Sequence, residues 1–463
     1  MGKFKVTVMS FMAFVLLFSS VFTFADSAEA GYDPGVETAI LLDADSGKIL
    51  LAKNIDQALP PASMTKMMSE YLILEAVNNG DISWDQEVPI SNQNAALSHS
   101  GSLSNVMLRT DESYSVKELY ESVAIYSANA ATMALAELIA GSEGAFVEKM
   151  NERAKDIGMG EPMREAGSGD LESLFEQGVG DFQFVNSTGL PNSLLGDNYP
   201  QGTEPNDDNY MSARAAATLA FHLVNDYPEV LDTASIPEKM FKEGTSDEIR
   251  MQNWNWMIEG TMYADLDYEY ADGLKTGFTN AAGYTFTGTA ERDGKRLISV
   301  VMGADSEAHR FQETQRLMEW GFNQFSTTEL FPEGMAAEGE ETVPVSKGKE
   351  SQVAVSTEEA VSLMIRNGQE ENYSYEVEWD ESLLNENGEL QAPIEAGEVV
   401  GKLHVVGDEN DPGFLDGEGS ASVNIVTDEA VERAGWFSLL FRSIGGFFAG
   451  VWTSVSDTVT GWF

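Results

Sequence analysis

Three short polar boxes constrain this chain more than any other feature. Ser63-Met64-Thr65-Lys66, Ser127-Ala128-Asn129 and Lys275-Thr276-Gly277 follow one another along 463 residues that include no cysteine. Singly, each has a bland explanation. Ser63 can be a helix N-cap with Lys66 solvated, Ser127 and Asn129 loop residues, and Lys275-Thr276-Gly277 a turn. Together they call for a fold that gathers them in one place. Ser63 and Lys66 lie three apart at a helix start, so their side chains share a face. A serine hydroxyl needs a base within reach, and Lys66 can be that base only if its ammonium gives up its proton readily. Burial and a second cation such as Lys275 both favour that loss. The helix start aims the Ser63 N–H at a developing oxyanion, and Gly277 lets an edge strand approach a substrate backbone, making the Phe278 N–H a second donor. Ser127 suits proton relay to a leaving group and Asn129 a substrate amide. Lys275 and Thr276 suit a terminal carboxylate through charge and hydroxyl.

The patterning around the boxes predicts an α+β chain. TAILLDADSGKIL from Thr38 reads as strand, turn, strand, with the turn at Asp45-Ser46-Gly47. Helical patterns follow over Lys66 to Val77, Val116 to Ala140, Ser212 to Asn225 and Phe311 to Phe322. GYTFTGTAER and RLISVVMGA read as a hairpin turning at Asp293-Gly294. Gly158 to Asp181 is rich in Gly, Glu and Asp and reads as an acidic loop or insertion. Composition shifts between Ser326 and Glu341. Beyond it, short alternating strands (VPV, VAV, VSLMI, YSYEVEW, VVGKLHVV, ASVNIV) predict an all-β domain. The expected division is 1–30 leader, 31–326 catalytic domain with an antiparallel sheet and helices, 327–428 all-β domain and 429–463 amphipathic helix.

Charge and composition narrow the function. Asp plus Glu number 76 against 27 Lys plus Arg, a net −49. Such a surface repels nucleic acid, so no nucleic-acid partner is expected. The acids are spread along the chain, which favours solvation in high salt over an anionic patch for a cationic partner. Without cysteine there is no disulfide or thiol chemistry. His99, His222, His309 and His404 are scattered, no pair has metal-ligand spacing, and neither metal nor cofactor is expected.

Both ends point to the membrane. Lys3 and Lys5, the apolar run from Phe11 to Phe24 and Ala28-Glu29-Ala30 have the order of a secretory signal, with cleavage after Ala30; the alternative is an uncleaved anchor. From Trp436 to Phe463 the large apolar residues recur at three- and four-residue steps, while Ser438, Arg442, Thr453, Ser456, Asp457 and Thr460 fill the opposite face. That pattern suits a helix lying in the membrane interface; the alternative is a helix docked on a domain.

The three boxes match the S-x-x-K, S-x-N and K-T-G set of penicillin-recognising serine enzymes. With PASMTKMM, YSANAATMALAE, FVNSTGL, DGLKTGFTNAAGYTFTGTAER and RSIGGFFAGVWTSVSDTVTGWF, the chain resembles the low-molecular-mass penicillin-binding D-alanyl-D-alanine carboxypeptidases, serine peptidase family S11, of Bacillus type. The resemblance runs from about Glu37 to Phe463. It implies a penicillin-binding/β-lactamase-like catalytic domain with Ser63 as the acylated nucleophile, Lys66 as proton acceptor, Ser127 assisting and Lys275 binding substrate. It also implies release of the terminal D-alanine from a peptidoglycan stem pentapeptide, inhibition by β-lactams, and a site outside the cytoplasmic membrane. One departure stands out: some relatives carry Arg in an N-R-N stretch that is Asn253-Trp254-Asn255 here, leaving Thr276, Lys275 or Arg250 to meet the substrate carboxylate. A class A β-lactamase would carry an E-x-x-L-N motif between the second and third boxes, and the sequence has none there. A transpeptidase and a non-catalytic β-lactam sensor are the other readings.

Overall fold

A computed structural model describes residues 32–160, 181–416 and 421–436. The central sheet is wholly antiparallel. Its strands are β1 (Thr38–Asp43), β2 (Ile49–Lys53), β3 (Ala271–Thr279), β4 (Gly283–Arg292) and β5 (Lys295–Ala304), in the order β2-β1-β5-β4-β3. The β4–β5 turn falls at Asp293 and Gly294, both with positive φ (55° and 74°), the backbone that matches a two-residue hairpin to strand twist. Helices cover both faces, which explains near-continuous apolar runs such as RLISVVMGA. Ile40, Leu42, Ile298, Val300 and Met302 join the large helical core. Leu41 and Leu297 point the other way and close on Gly321, where a Cβ would come within 2.6 and 2.8 Å of their methyls.

Gly321 belongs to α6, numbered after α1 (Lys66–Asn78), α2 (Val116–Tyr126), α3 (Asn129–Ala140), α4 (Glu143–Asp156) and α5 (Ala213–Asp226); α6 itself spans Glu307–Gln324. It starts four residues before the expected Phe311 because Ser306 caps it, accepting from the His309 N–H at 3.2 Å. The helix α1 is buried on nearly every side, so it is the central post of the helical layer rather than a surface helix. The single helix expected over Val116 to Ala140 is two. Ser127 takes a left-handed conformation (φ 58°, ψ 37°) and breaks the run, because that backbone ends a right-handed helix. Ser115 and Glu118 close a reciprocal capping box at the start of α2.

The strand β6 (Phe325–Phe331) follows α6 directly, so the boundary expected at 326/327 falls inside a strand. The β domain continues with β7 (Thr342–Ser346), β8 (Gln352–Thr357), β9 (Val361–Arg366), β10 (Ser374–Trp379), β11 (Leu390–Gln391), β12 (Val399–Val406) and β13 (Ser422–Thr427). Six of these form a sheet in the order β10-β12-β13-β8-β7-β11, and β6 pairs with β9. Period-two alternation packs Val343, Val345, Val353, Val355, Leu403, Val423 and Ile425 into one core. The loop after β12 returns to the catalytic domain. Buried Lys48 pairs with Asp411, the Ile49 N–H donates to the Gly413 carbonyl at 2.9 Å, and Leu415 enters the large core. Nothing in the hydrophobic periodicity signals this clasp, since its partners lie more than 360 residues apart.

The expected acidic insertion falls mainly on 161–180, and the leader and most of the terminal helix on 1–31 and 437–463; these stretches lie outside the described residues.

Candidate active site

Ser63 sits in a 3-10 turn, Ala62–Thr65, that runs into α1 at Lys66. A 3-10 turn eclipses residues three apart, so the Lys66 amine reaches 3.1 Å from Ser63 Oγ. Lys66 is fully buried. Its Nζ also donates to Asn129 Oδ1 at 2.8 Å and to the Thr188 carbonyl at 2.6 Å. A neutral amine has two N–H donors and one lone pair. In that form the two acceptors would hold both hydrogens and the lone pair would face the Ser63 O–H. Burial, then the neighbouring Lys275 charge, push the Lys66 amine well below its ordinary range.

The second box stands on the break between α2 and α3. The left-handed turn at Ser127 swings its hydroxyl to 3.0 Å from Lys275 Nζ. Asn129 opens α3 and is held from behind: its amide donates to the Ser104 carbonyl at 2.9 Å, leaving Oδ1 for Lys66. The third box lies on β3, an edge strand of the sheet. A Cβ on Gly277 would fall 2.4 Å from the Pro61 carbonyl, so only glycine lets the strand pass so close to the Ser63 turn. Lys275 is buried and brought down to about 8 by burial, with Glu70 opposing and Arg310 adding to the shift. Thr276 is buried beside it, and its carbonyl accepts from Lys275 Nζ at 3.3 Å. Phe278 is half exposed, its ring 4.4 Å from that of Tyr284.

Ser63, Lys66, Ser127, Asn129, Lys275, Thr276 and Gly277 thus converge from three separate stretches of the chain. Two hydroxyls, a buried amine and an edge strand linked by hydrogen bonds equip the site for acyl transfer. Residues 26–167 and 172–306 match the family described as Peptidase S11, D-alanyl-D-alanine carboxypeptidase. The chain belongs to the D-alanyl-D-alanine carboxypeptidase family.

Residues 325–433 match the C-terminal domain of penicillin-binding protein 5. Among curated carboxypeptidases, DacF of Bacillus subtilis (strain 168) is 30% identical over 431 residues, covering 91% of this chain and 95% of DacF. Among solved structures, the peptidoglycan synthesis regulatory factor PBP3 of Streptococcus pneumoniae superposes with a TM-score of 0.63 at 31% identity, covering 86% of this chain and 100% of that one. Penicillin binding protein 5 of Haemophilus influenzae gives 0.63 at 28% identity, with 87% and 99% covered.

Within this carboxypeptidase framework several residues escaped the sequence reading. Arg250, left open for the carboxylate contact, is largely exposed and paired with Glu238. A second guanidinium, that of Arg310 on α6, lies beside the third box. It is buried, donates to the Gly277 carbonyl at 3.0 Å, and is lowered to about 10, chiefly by burial. Trp254 turns its indole N–H to the Tyr126 carbonyl at 3.1 Å, bracing the strut behind Ser127. Glu143 accepts from the Ser187 N–H and hydroxyl at 2.7 and 2.6 Å and so fixes the loop whose Thr188 carbonyl holds Lys66. Burial raises Glu143 to about 7, against those two bonds. The ST-G-L run of that loop was visible, but nothing in its spacing linked it to Lys66.

Gly189 in the same loop is tightly constrained. Its φ is +77°, and a Cβ there would sit 1.8 Å from the Ala62 carbonyl. Backbone strain at such a position costs about 1–3 kcal/mol before any clash. Gly189→Ala is therefore expected to lower the denaturant midpoint and to slow acylation at Ser63, since Ala62 must move. An unchanged midpoint with an unchanged acylation rate would contradict the close approach.

Proposed function

We propose that the chain is a secreted serine carboxypeptidase that removes the terminal D-alanine from peptidoglycan stem pentapeptides through an acyl-enzyme on Ser63. The observation that carries the reading is the buried Lys66 amine, 3.1 Å from Ser63 Oγ and bonded to Asn129 Oδ1 and the Thr188 carbonyl. Lys66 takes the Ser63 proton as Oγ bonds to the carbonyl carbon of the penultimate D-alanine. The N–H groups of Ser63 and Phe278 receive the oxyanion. As the C–N bond breaks, the proton on Lys66 passes to the departing amine with the Ser127 hydroxyl assisting, and free D-alanine leaves. Water then attacks the ester, Lys66 takes its proton, and Ser63 Oγ leaves protonated with the tetrapeptide released. Lys275, Thr276 and Arg310 receive the terminal carboxylate, and Asn129 the substrate amide. A β-lactam follows the same first step, and its ring-opened acyl group stays on Ser63. Incubation with a pentapeptide ending in D-Ala-D-Ala should give tetrapeptide and D-alanine in equal amounts. Penicillin hydrolysis without D-alanine release would favour a β-lactamase, and acylation without turnover a sensor.

The same reading places the mature protein on the outer face of the cytoplasmic membrane. It rests on the leader-like order ending at Ala30 and on the apolar stripe of the terminal segment. No single helix among the described residues is long and apolar enough to cross a membrane. Burying the polar face of the terminal helix in lipid would strand Arg442 and Asp457, so it lies in the interface. Full-length protein should sediment with lipid vesicles in low and high salt, and a chain ending at Ala434 should not. Equal sedimentation of both, or release of the full-length protein by salt, would refute the anchor. Net −49 further suits a salty medium. The melting midpoint should climb between low and molar NaCl; a flat or falling midpoint would favour a cationic partner.

A further inference from the structure

Lys66, Lys275, Glu143 and Glu70 are ionisable side chains buried in this region. Three have a place in the site described above; Glu70 does not. It follows Lys66 by four residues on α1, so it occupies the same face one turn deeper. The helix packs there against β3, which carries Lys275, and against α2. Glu70 is 3% exposed, and its Oε1 has no hydrogen-bond partner among the described residues. A buried carboxylate without donors persists only beside compensating positive charge or by taking up a proton. The lysines have a matching deficit. Lys66 meets Ser63, Asn129 and the Thr188 carbonyl, and Lys275 meets Ser127 and the Thr276 carbonyl. None of these acceptors is a carboxylate.

We propose that Glu70 is a positioning residue for acyl transfer: its buried carboxylate keeps the positive charge of the lysine pair on Lys275, where the substrate carboxylate binds, while Lys66 stays neutral as the base. This rests on the roles given to Lys66 and Lys275 under the proposed function. The charges facing Glu70 support the arrangement. Lys66 lies on its own helix and Lys275 on β3; both lower the Glu70 carboxyl, against the larger effect of burial that raises it to about 7. From α2 comes the buried Tyr120 hydroxyl, which has no hydrogen-bond partner among the described residues. Glu143 on α4 also acts on Lys66; its Oε1 accepts from Ser187, while its Oε2 has no hydrogen-bond partner among the described residues, and Arg310 on α6 opposes the charge on Lys275. The Glu70 charge opposes the lowering of both lysines by burial.

The test is the pH profile of Glu70→Gln. Acylation by a fluorescent penicillin, and kcat/KM for D-alanine release, should each rise as Lys66 loses its proton and fall as Lys275 loses its own. Removing the Glu70 charge makes both protons easier to lose. Both limbs should therefore move to lower pH, by about one pH unit or more. Well onto the alkaline side, the variant should be about tenfold slower than wild type for each pH unit the limb has moved, with KM for the peptide rising there more than kcat falls. A merely structural role would lower the amplitude and leave the limbs in place, and that result overturns the proposal. If Glu70→Gln does not fold, Glu70→Asp carries the test. It draws the charge back by one methylene and should move both limbs the same way by less; unmoved limbs again overturn it. Ser63→Ala run alongside separates the two claims. Acylation surviving in Ser63→Ala removes the proposed function itself, whereas unmoved limbs with an inert Ser63→Ala remove only the role of Glu70.

Discussion

Penicillin should leave one covalent adduct on the wild-type protein and none on Ser63→Ala. The substitution removes one oxygen from a turn whose backbone is set by neighbours: Thr285 Oγ1 donates to the Pro61 carbonyl at 3.2 Å, and Gly277 and Gly189 pack on Pro61 and Ala62. The melting midpoint should therefore stay near that of wild type while both acylation and D-alanine release vanish. Neither neighbouring hydroxyl can take over. Ser127 faces Lys275 rather than Lys66, and Thr65 is fully buried. Intact-mass measurement decides the matter, and an adduct retained by Ser63→Ala would reassign the nucleophile.

Lys66→Ala should slow acylation by about 10²–10⁴-fold, the usual contribution of a positioned general base. Lys66 also serves the scaffold through Asn129 and Thr188, so its loss leaves two buried acceptors without a donor, at about 1–3 kcal/mol. Stability and acylation can be separated with Lys66→Arg. Arginine keeps a donor and a charge but does not give up its proton. It should remain as slow as alanine even where it restores the melting midpoint. An acylation rate within a few-fold of wild type in either variant would mean that another group takes the Ser63 proton.

Much of this site could be read from the sequence because its chemistry is packed into short boxes. S-x-x-K needs only local geometry to bring hydroxyl and amine together, and the β4–β5 hairpin is written in two strand-like runs either side of Asp293-Gly294. The β domain follows from period-two alternation. Longer-range features were not legible. Ser127 ends one helix and precedes another, yet Val116 to Ala140 carries an unbroken helical pattern; the left-handed backbone that aims the hydroxyl leaves no mark in hydrophobicity. Glu70 and Glu143 read as ordinary helix acids, since only the packing of α1, β3 and the Ser187 loop buries them. Arg310 sits 33 residues beyond Gly277 on a helix whose spacing gives no reason to face it. The clasp of Lys48 on Asp411 depends on a loop of the second domain folding back onto the β1–β2 turn.

Rapid-quench mass spectrometry on the protein mixed with a D-Ala-D-Ala pentapeptide tests the central claim most directly. The expected result is a transient mass increase equal to the tetrapeptidyl acyl group, carried by the fragment that contains Ser63, with one D-alanine released for each acyl group formed. D-alanine released with no acyl intermediate in Lys66→Ala or wild type, or an acyl group on any other fragment, would contradict it.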